Sequence, residues 1–207
     1  MSTAPCSSPN GSPTRLLLVR HGQSVWNADG RWQGQADPAL TELGERQAFD
    51  AARRIGMVEA VYASDLERAA KTAQIIAGQL GLDVMVDARL RERHAGPWEG
   101  HTRDEIDAHW PGMLESGERP EGYEDDIHVT ARALVSLTEI AGLHEGGDVL
   151  IVTHGGVVRS LERHLGADDG LLPNLGGRWV AWGPEGPNLG DRVELIPEEE
   201  ITRPEQI

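Results

Sequence analysis

The chain has a single cysteine, Cys6, which rules out an internal disulfide and a zinc site built on cysteines. No apolar run approaches the length of a membrane span, the strongest being strand-sized, at residues 16–19 and 149–152. Residues 1–14 are rich in Ser, Pro and Gly and hold no apolar h-region, so they are not a secretory signal. They read as a disordered extension. There is no internal repeat. Positive charge is scarce as well: 19 Lys and Arg face 34 Asp and Glu, a formal net charge of −15. A surface this acidic argues against nucleic acid and anionic membranes as partners. The lack of cysteine pairs fits a protein of the reducing cytoplasm. An anionic substrate would need a local concentration of the few cations against the overall field.

The remaining composition, 39% hydrophobic and 26% charged over 207 residues, suits one globular domain with a substantial core. Residues 15–196 are read as that domain, and residues 197–207, with Glu198, Glu199 and Glu200, as a solvated acidic tail. Inside the domain strands and helices alternate. A buried strand is expected at 15–20, further strands at 58–63 and 84–86, a central apolar strand at 149–152, and two final strands at 178–182 and 192–195. Thr41 caps a helix using Leu43, Ala48, Ala51 and Ile55. Ser64 and Glu67 form a capping-box pattern opening a second helix, with Leu66, Ala70, Ala73, Ala77 and Leu80 inside and Gly81 at its end. Further helices are expected at 102–110, at 127–141 with Ile127, Ala131, Leu134 and Ala141 on one side, and at 157–165. This order predicts a three-layer α/β/α sandwich with a mostly parallel central sheet.

Parallel sheets bind ligands at the carboxyl ends of their strands. That rule selects the loops after Arg20, Ala63 and Val152, and each carries a cation or an imidazole nearby. Arg20 and His21 end the first strand, with Gly22 allowing a tight turn. Arg68 falls in the first turn of its helix, where a cation opposes the helix dipole. His154 precedes Gly155 and Gly156 at a helix start, where free N–H groups favour an anion. Glu92 sits in the loop 88–100. Taken singly, each has an ordinary structural reading. Together they form the cluster that a phosphoryl group, with charge spread over its oxygens, requires.

Arg20-His21-Gly22, followed by Ser24 and Asn27, resembles the signature that opens the histidine phosphatase (phosphoglycerate mutase-like) superfamily, and Gln33-Gly34, Asp37, Leu40-Thr41 and Gly44 continue it. Ser64-x-Leu66-x-Arg68-Ala69-x-x-Thr72 is similar to the second motif of that family. Leu90-x-Glu92-x-x-x-Gly96-x-Trp98-Glu99-Gly100 is similar to its third, and Thr153-His154-Gly155-Gly156 to its fourth. The resemblance spans residues 15–156 in order. It implies the family's sandwich fold and a metal-independent, cofactor-free phosphatase acting on a small phosphorylated metabolite. Sugar phosphates and phosphoglycerate-like esters are the implied class.

The roles implied are His21 as the nucleophile that becomes phosphohistidine, Arg20, Arg68 and His154 as ligands of the phosphoryl oxygens, and Glu92 as proton donor and acceptor. The second ring nitrogen of His21 needs an acceptor, expected to be a backbone carbonyl. Asn27, Ser24, Gln33, Gly34, Gly155 and His94 are the expected substrate-binding residues. Trp26, Trp32, Trp98 and Tyr123 are candidates to line the pocket. Mutases of the family carry a longer, basic, tyrosine-rich insertion after the third motif. Here residues 111–126 are short and acidic, which favours a phosphatase and leaves a phosphoglycerate mutase as the alternative. Gly122-Tyr123-Glu124-Asp125 resembles a Gly-Gly-Glu-Ser stretch of the family, with two positions changed. A non-catalytic phosphate-binding module is a further alternative, and a homodimer is left open.

Overall fold

The computed structural model describes residues 12–201. In chain order the elements are β1 (Thr14–Arg20), α1 (Val25–Ala28), α2 (Glu42–Ile55), β2 (Ala60–Ala63), α3 (Glu67–Leu80) and β3 (Val84–Val86). They continue with α4 (Arg103–His109), α5 (Met113–Ser116), α6 (Asp126–Leu143), β4 (Asp148–Thr153), α7 (Gly155–His164), β5 (Gly176–Gly183) and β6 (Gly186–Glu194). The sheet order is β3-β2-β4-β1-β5-β6. β3, β2, β4 and β1 run parallel, and the β5–β6 hairpin closes the β1 edge antiparallel.

Both faces of the centre are covered, which is why β1 and β4 are apolar at successive positions rather than at alternate ones. Leu17, Val19, Val61, Leu150 and Val152 face α2 and α3, in one cluster with Ala51, Ile55, Ala73 and Ile76. Leu16, Leu18, Tyr62, Val149 and Ile151 face α6 and α7, in a second cluster with Leu137, Ile140 and Leu161. The three-layer expectation therefore holds. A third, smaller cluster of Trp32, Ala95, Trp98 and Ile106 sits beneath the long loops.

Several local expectations are corrected. No capping box forms at Ser64, which is fully buried and whose hydroxyl accepts from the Leu66 N–H in a tighter turn. The first N–H of α3, on Glu67, donates instead to Asp37 at 2.7 Å, so a carboxylate 30 residues away acts as the cap. The inner face of α6 is Val129, Ala133, Leu137 and Ile140, whereas Ile127 is 77% exposed and Ala131 is exposed. A helix that also presents Thr130 and Ser136 inward offers few apolar markers of its phase. Thr14, assigned to the extension, is a buried strand residue whose hydroxyl donates to carbonyls of the α6 end. Residues 1–11 of that extension lie outside the described residues. The start of the acidic tail is not simply solvated: Glu198–Glu200 is a 3-10 turn whose Glu200 carbonyl accepts from the Gln47 amide at 2.8 Å. Residues 202–207 lie outside the described residues. Among the described residues no helix is long and apolar enough to cross a membrane.

Candidate active site

β1 and β4 lie side by side in parallel register, Arg20 opposite Thr153. Their ends therefore deliver Arg20-His21 and His154 to the same edge of the sheet. The His21 N–H donates to the Thr153 carbonyl at 3.0 Å, continuing the ladder one step into the loop. The two imidazoles meet edge to face, 5.2 Å between centroids. The turn after His21 is close to α2. A Cβ on Gly22 would collide with the Gly44 backbone, and one on Gly44 with the Gln23 backbone. Both glycines are needed for the loop to pass over the helix start.

His21 Nδ1 lies 2.7 Å from the Gly22 carbonyl, which only an N–H can satisfy. Nε2 lies 3.2 Å from Arg68 Nε, a donor, so it presents its lone pair. The two contacts agree on one tautomer, and the expected carbonyl acceptor is the residue's own neighbour. Burial, then the charges of Arg68 and Arg20, hold the His21 pKa well below the usual histidine value. Burial likewise lowers His154, aided by Arg68, His21 and Arg132. Both rings are therefore neutral at pH 7.

Arg68 is fully buried at the start of α3. Its guanidinium donates to the Ala36 and Gly34 carbonyls at 2.7 and 2.8 Å, which offsets the unfavourable helix-end position. Arg20 donates to the Leu172 carbonyl at 2.8 Å. Burial lowers both arginines to about 10, and Glu92 opposes that shift in each, so both remain cations at neutral pH.

Glu92 is held through its oxygens: Oε2 accepts from the Gly156 N–H at 3.0 Å and Oε1 from the Arg93 N–H at 2.8 Å. A Cβ on Gly156 would strike this carboxylate, so the glycine is what lets α7 approach it.

Arg20, His21, Asn27, Gln33, Gly34, Arg68, Glu92 and Gly155 line one cavity of about 560 Å³. His154 lies behind it, fully buried, with neither ring nitrogen partnered. The amide nitrogen of Asn27 is also buried without a partner. Buried polar atoms are normally satisfied, and unpartnered donors beside two buried arginines suit an anionic acceptor. A tetrahedral oxyanion fits that description.

Two predicted binding residues are not brought in. Ser24 is buried and caps α1, exchanging hydrogen bonds with Asn27 and donating to Gln33 Oε1 at 2.7 Å. His94 turns outward and accepts from the Gly96 N–H at 2.9 Å. Of the aromatic candidates, Trp32 and Tyr123 line the cavity, and Trp98 is packed beneath them.

Sequence reasoning missed Asn174, Arg93, Arg119, Arg159 and Arg163. Asn174 donates to the His21 carbonyl at 2.9 Å and to Asn27 Oδ1 at 3.3 Å. It thereby helps fix the Asn27 amide with its nitrogen left over. Its neighbour Leu175 takes φ +53°, a left-handed conformation costly for leucine, and donates to the Arg20 carbonyl. No sequence signal marks Asn174. Arg159 and Arg163 did carry one: they follow Gly155 at four-residue steps along α7 and line the cavity with it.

The model of the histidine phosphatase superfamily (branch 1) matches residues 16–176. The chain belongs to that superfamily. This histidine phosphatase is a phosphoric monoester hydrolase. It is 38% identical over 166 residues to the glucosyl-3-phosphoglycerate phosphatase of Mycobacterium tuberculosis, covering 73% of this chain and 74% of that protein. A solved structure of the mycobacterial glucosyl-3-phosphoglycerate phosphatase with VO3 superposes with a TM-score of 0.79 at 32% identity, covering 86% of this chain and 97% of that one. The phosphatase is also 38% identical to a metal-independent phosphoserine phosphatase of Arabidopsis thaliana, over 72% of this chain and 67% of the relative. It is 40% identical to a probable phosphoglycerate mutase of Erwinia tasmaniensis, over 68% of this chain and 69% of the relative.

Proposed function

We propose that the enzyme hydrolyses a small phosphate monoester of the sugar-phosphate or phosphoglycerate-like class through a phosphohistidine on His21, without a metal. The observation that carries this reading is the state of His21. Its Nδ1–H is held by the Gly22 carbonyl, so Nε2 offers a lone pair amid Arg20, Arg68 and His154.

In the first half-reaction Nε2 attacks phosphorus in line and the ester P–O bond breaks. Glu92 gives its proton to the leaving alkoxide, and the alcohol departs. In the second, Glu92 takes a proton from water, the oxygen attacks phosphorus, and the P–N bond breaks to release inorganic phosphate. Splitting one hard displacement into two is the gain from the covalent intermediate. Arg20, Arg68, His154 and the Asn27 amide receive the phosphoryl oxygens, with charge stabilised by donors already in place.

The short segment 111–126 supports hydrolysis over transfer to a retained second hydroxyl. It is acidic in composition, yet Arg119 and Tyr123 from it reach the cavity wall. The mutase reading therefore keeps a footing in the relative of that name. Residues 15–196 are proposed to act as one catalytic domain on soluble metabolites of the cytoplasm.

The test is hydrolysis of para-nitrophenyl phosphate with a strong chelator present. Turnover, with a phosphoenzyme trapped on wild type and none on His21→Asn, is the expected result. Full turnover by His21→Asn would remove the nucleophile. Incubation with 3-phosphoglycerate and 2,3-bisphosphoglycerate reads out the mutase: 2-phosphoglycerate without net phosphate release would replace the hydrolytic reading.

A further inference from the structure

His21, Arg68 and His154 are each delivered to the site by a strand end or a helix start. Glu92 is not. It lies at residues 91–94, where the chain forms neither strand nor helix. Its carboxylate accepts from the Arg93 and Gly156 N–H groups, but Arg93 moves with the same loop, so Gly156 is the anchor from outside. A group that transfers protons in both half-reactions has to be held to within about 0.5 Å of its working position.

We propose that Arg132, held by Glu124, is a positioning residue for Glu92: it straps the backbone of residues 89–92 so that the Glu92 carboxyl meets the leaving oxygen. This rests on the phosphohistidine reading above and deepens it.

The guanidinium of Arg132, on α6, has five N–H groups, and five acceptors receive them. Nη1 donates to the Arg89 and Arg91 carbonyls at 2.8 and 2.6 Å. Nη2 donates to the Glu92 carbonyl at 3.1 Å and to Glu124 Oε2 at 2.9 Å. Nε donates to Glu124 Oε1 at 2.8 Å. The Leu90 carbonyl, within the same run, accepts from the Thr153 hydroxyl at 2.7 Å. The four successive carbonyls of residues 89–92 are thus all held from outside the loop, three of them by one side chain. The Arg132 and Glu124 side chains are only 20% and 18% exposed, so little water competes for these bonds.

The pairing with Glu124 engages both carboxylate oxygens, which sets the plane of the guanidinium fork against the loop. Glu124 also accepts from the His94 N–H at 3.1 Å, and its own N–H donates to the His94 carbonyl at 2.8 Å. The clamp therefore reaches from residue 89 to residue 94. It gives a task to the Gly122-Tyr123-Glu124-Asp125 stretch, in which Gly122 and Glu124 are the positions shared with the Gly-Gly-Glu-Ser stretch of the superfamily.

The experiment compares phenyl phosphate with para-nitrophenyl phosphate, two esters that differ by one nitro group. Phenol shares the acidity of tyrosine, pKa about 10, so phenoxide leaves with help from a proton, whereas the more stable para-nitrophenolate leaves without it. The readout is the ratio of the two kcat/KM values, which covers the steps up to release of the alcohol and does not depend on the fraction of enzyme that is folded. Glu92→Gln should shift the ratio towards para-nitrophenyl phosphate by about 100-fold, the scale of general acid catalysis. Arg132→Gln should shift it the same way by about tenfold, as for a modest misplacement of that acid. Arg132→Lys should shift it less, because an ammonium keeps the charge but not the fork. Arg132→Gln added to Glu92→Gln should shift it no further. An Arg132→Gln enzyme that loses activity equally on both esters, or loses none, overturns the proposal, and so does a further shift in the double variant. If Arg132→Gln yields no folded enzyme, the ratio in Arg132→Lys and in Glu124→Gln decides in the same way. A wild-type ratio in Glu92→Gln would instead overturn the reading of Glu92 as proton donor, and this proposal with it.

Discussion

The two ends of the cavity are built on opposite principles. At the inner end His21, Arg68 and His154 are almost or wholly buried, and each is placed by a strand end or a helix start. His21 Nδ1 and the Arg68 guanidinium donate to backbone carbonyls, which do not rearrange, and Arg68 Nε also donates to His21 Nε2. At the outer end Arg119 is exposed and stacks over Trp98 and Tyr123 at 5.4 Å, and Arg93 and Arg163 share Asp126. Those contacts are side chain to side chain. The first arrangement is preorganised for a fixed tetrahedral anion. The second is adaptable, as a region distinguishing one organic moiety from another must be. Variants at the inner end should therefore lower kcat on every ester, whereas outer variants should alter KM ester by ester.

The sharpest break in this comparison is at His21. His21→Asn should abolish phosphoenzyme formation and lower kcat by about four orders of magnitude or more, measured by steady-state assay and acid-quench trapping. Arg68→Ala or His154→Ala should each cost about 10²–10³ in kcat on all esters alike, as for the loss of one preorganised donor. A loss confined to KM on one ester would move that residue to the outer, adaptable group.

The inner end also has a pH signature. His21 and His154 have folded-state pKa values below the unfolded value of about 6.5, so below that pH the unfolded chain binds more protons. Stability should be full above pH 6.5 and fall as the pH drops below it. The loss is up to about 1.4 kcal/mol per pH unit for each histidine until its folded pKa is reached. Thermal melts between pH 7 and 5 would measure it, and a flat profile would contradict the burial argument. The same depression keeps His21 unprotonated, so the acid limb of kcat/KM attributable to it should lie below pH 6.5.

Asn174 tests whether the inner end depends on its supports. Asn174→Ala should reduce kcat by about tenfold through a loosened Asn27 amide, a loss of order one hydrogen bond to a charged group. If it acts through Asn27, the double variant with Asn27→Ala should be little worse than Asn27→Ala alone. Strict additivity would make Asn174 an independent structural residue.

The phosphoryl pole was legible in the sequence because its residues abut strand ends in short, glycine-containing runs: Arg20-His21-Gly22 and His154-Gly155-Gly156. The two buried central strands were legible for a similar reason, their apolar runs being continuous. The inward face of α6 was not legible, because Thr130 and Ser136 share it with the apolar residues while Ile127 lies outside. Ser24 matched the family pattern correctly, but its match marks a buried helix cap rather than a cavity wall. A motif records which residues recur together, not which of them face the ligand.

By itself the sequence determined the order of the strands and helices, the family, and the local pairs that turn at each strand end, because these depend on neighbours a few residues apart. Only the tertiary structure decided which side chains share the cavity. It placed Asp37 at the start of α3, Asn174 against the His21 carbonyl and Arg159 in the wall of the cavity. The physical reason is that electrostatic and hydrogen-bond partners are chosen by distance in space, and the fold brings together residues 30 to 153 positions apart that no local pattern relates.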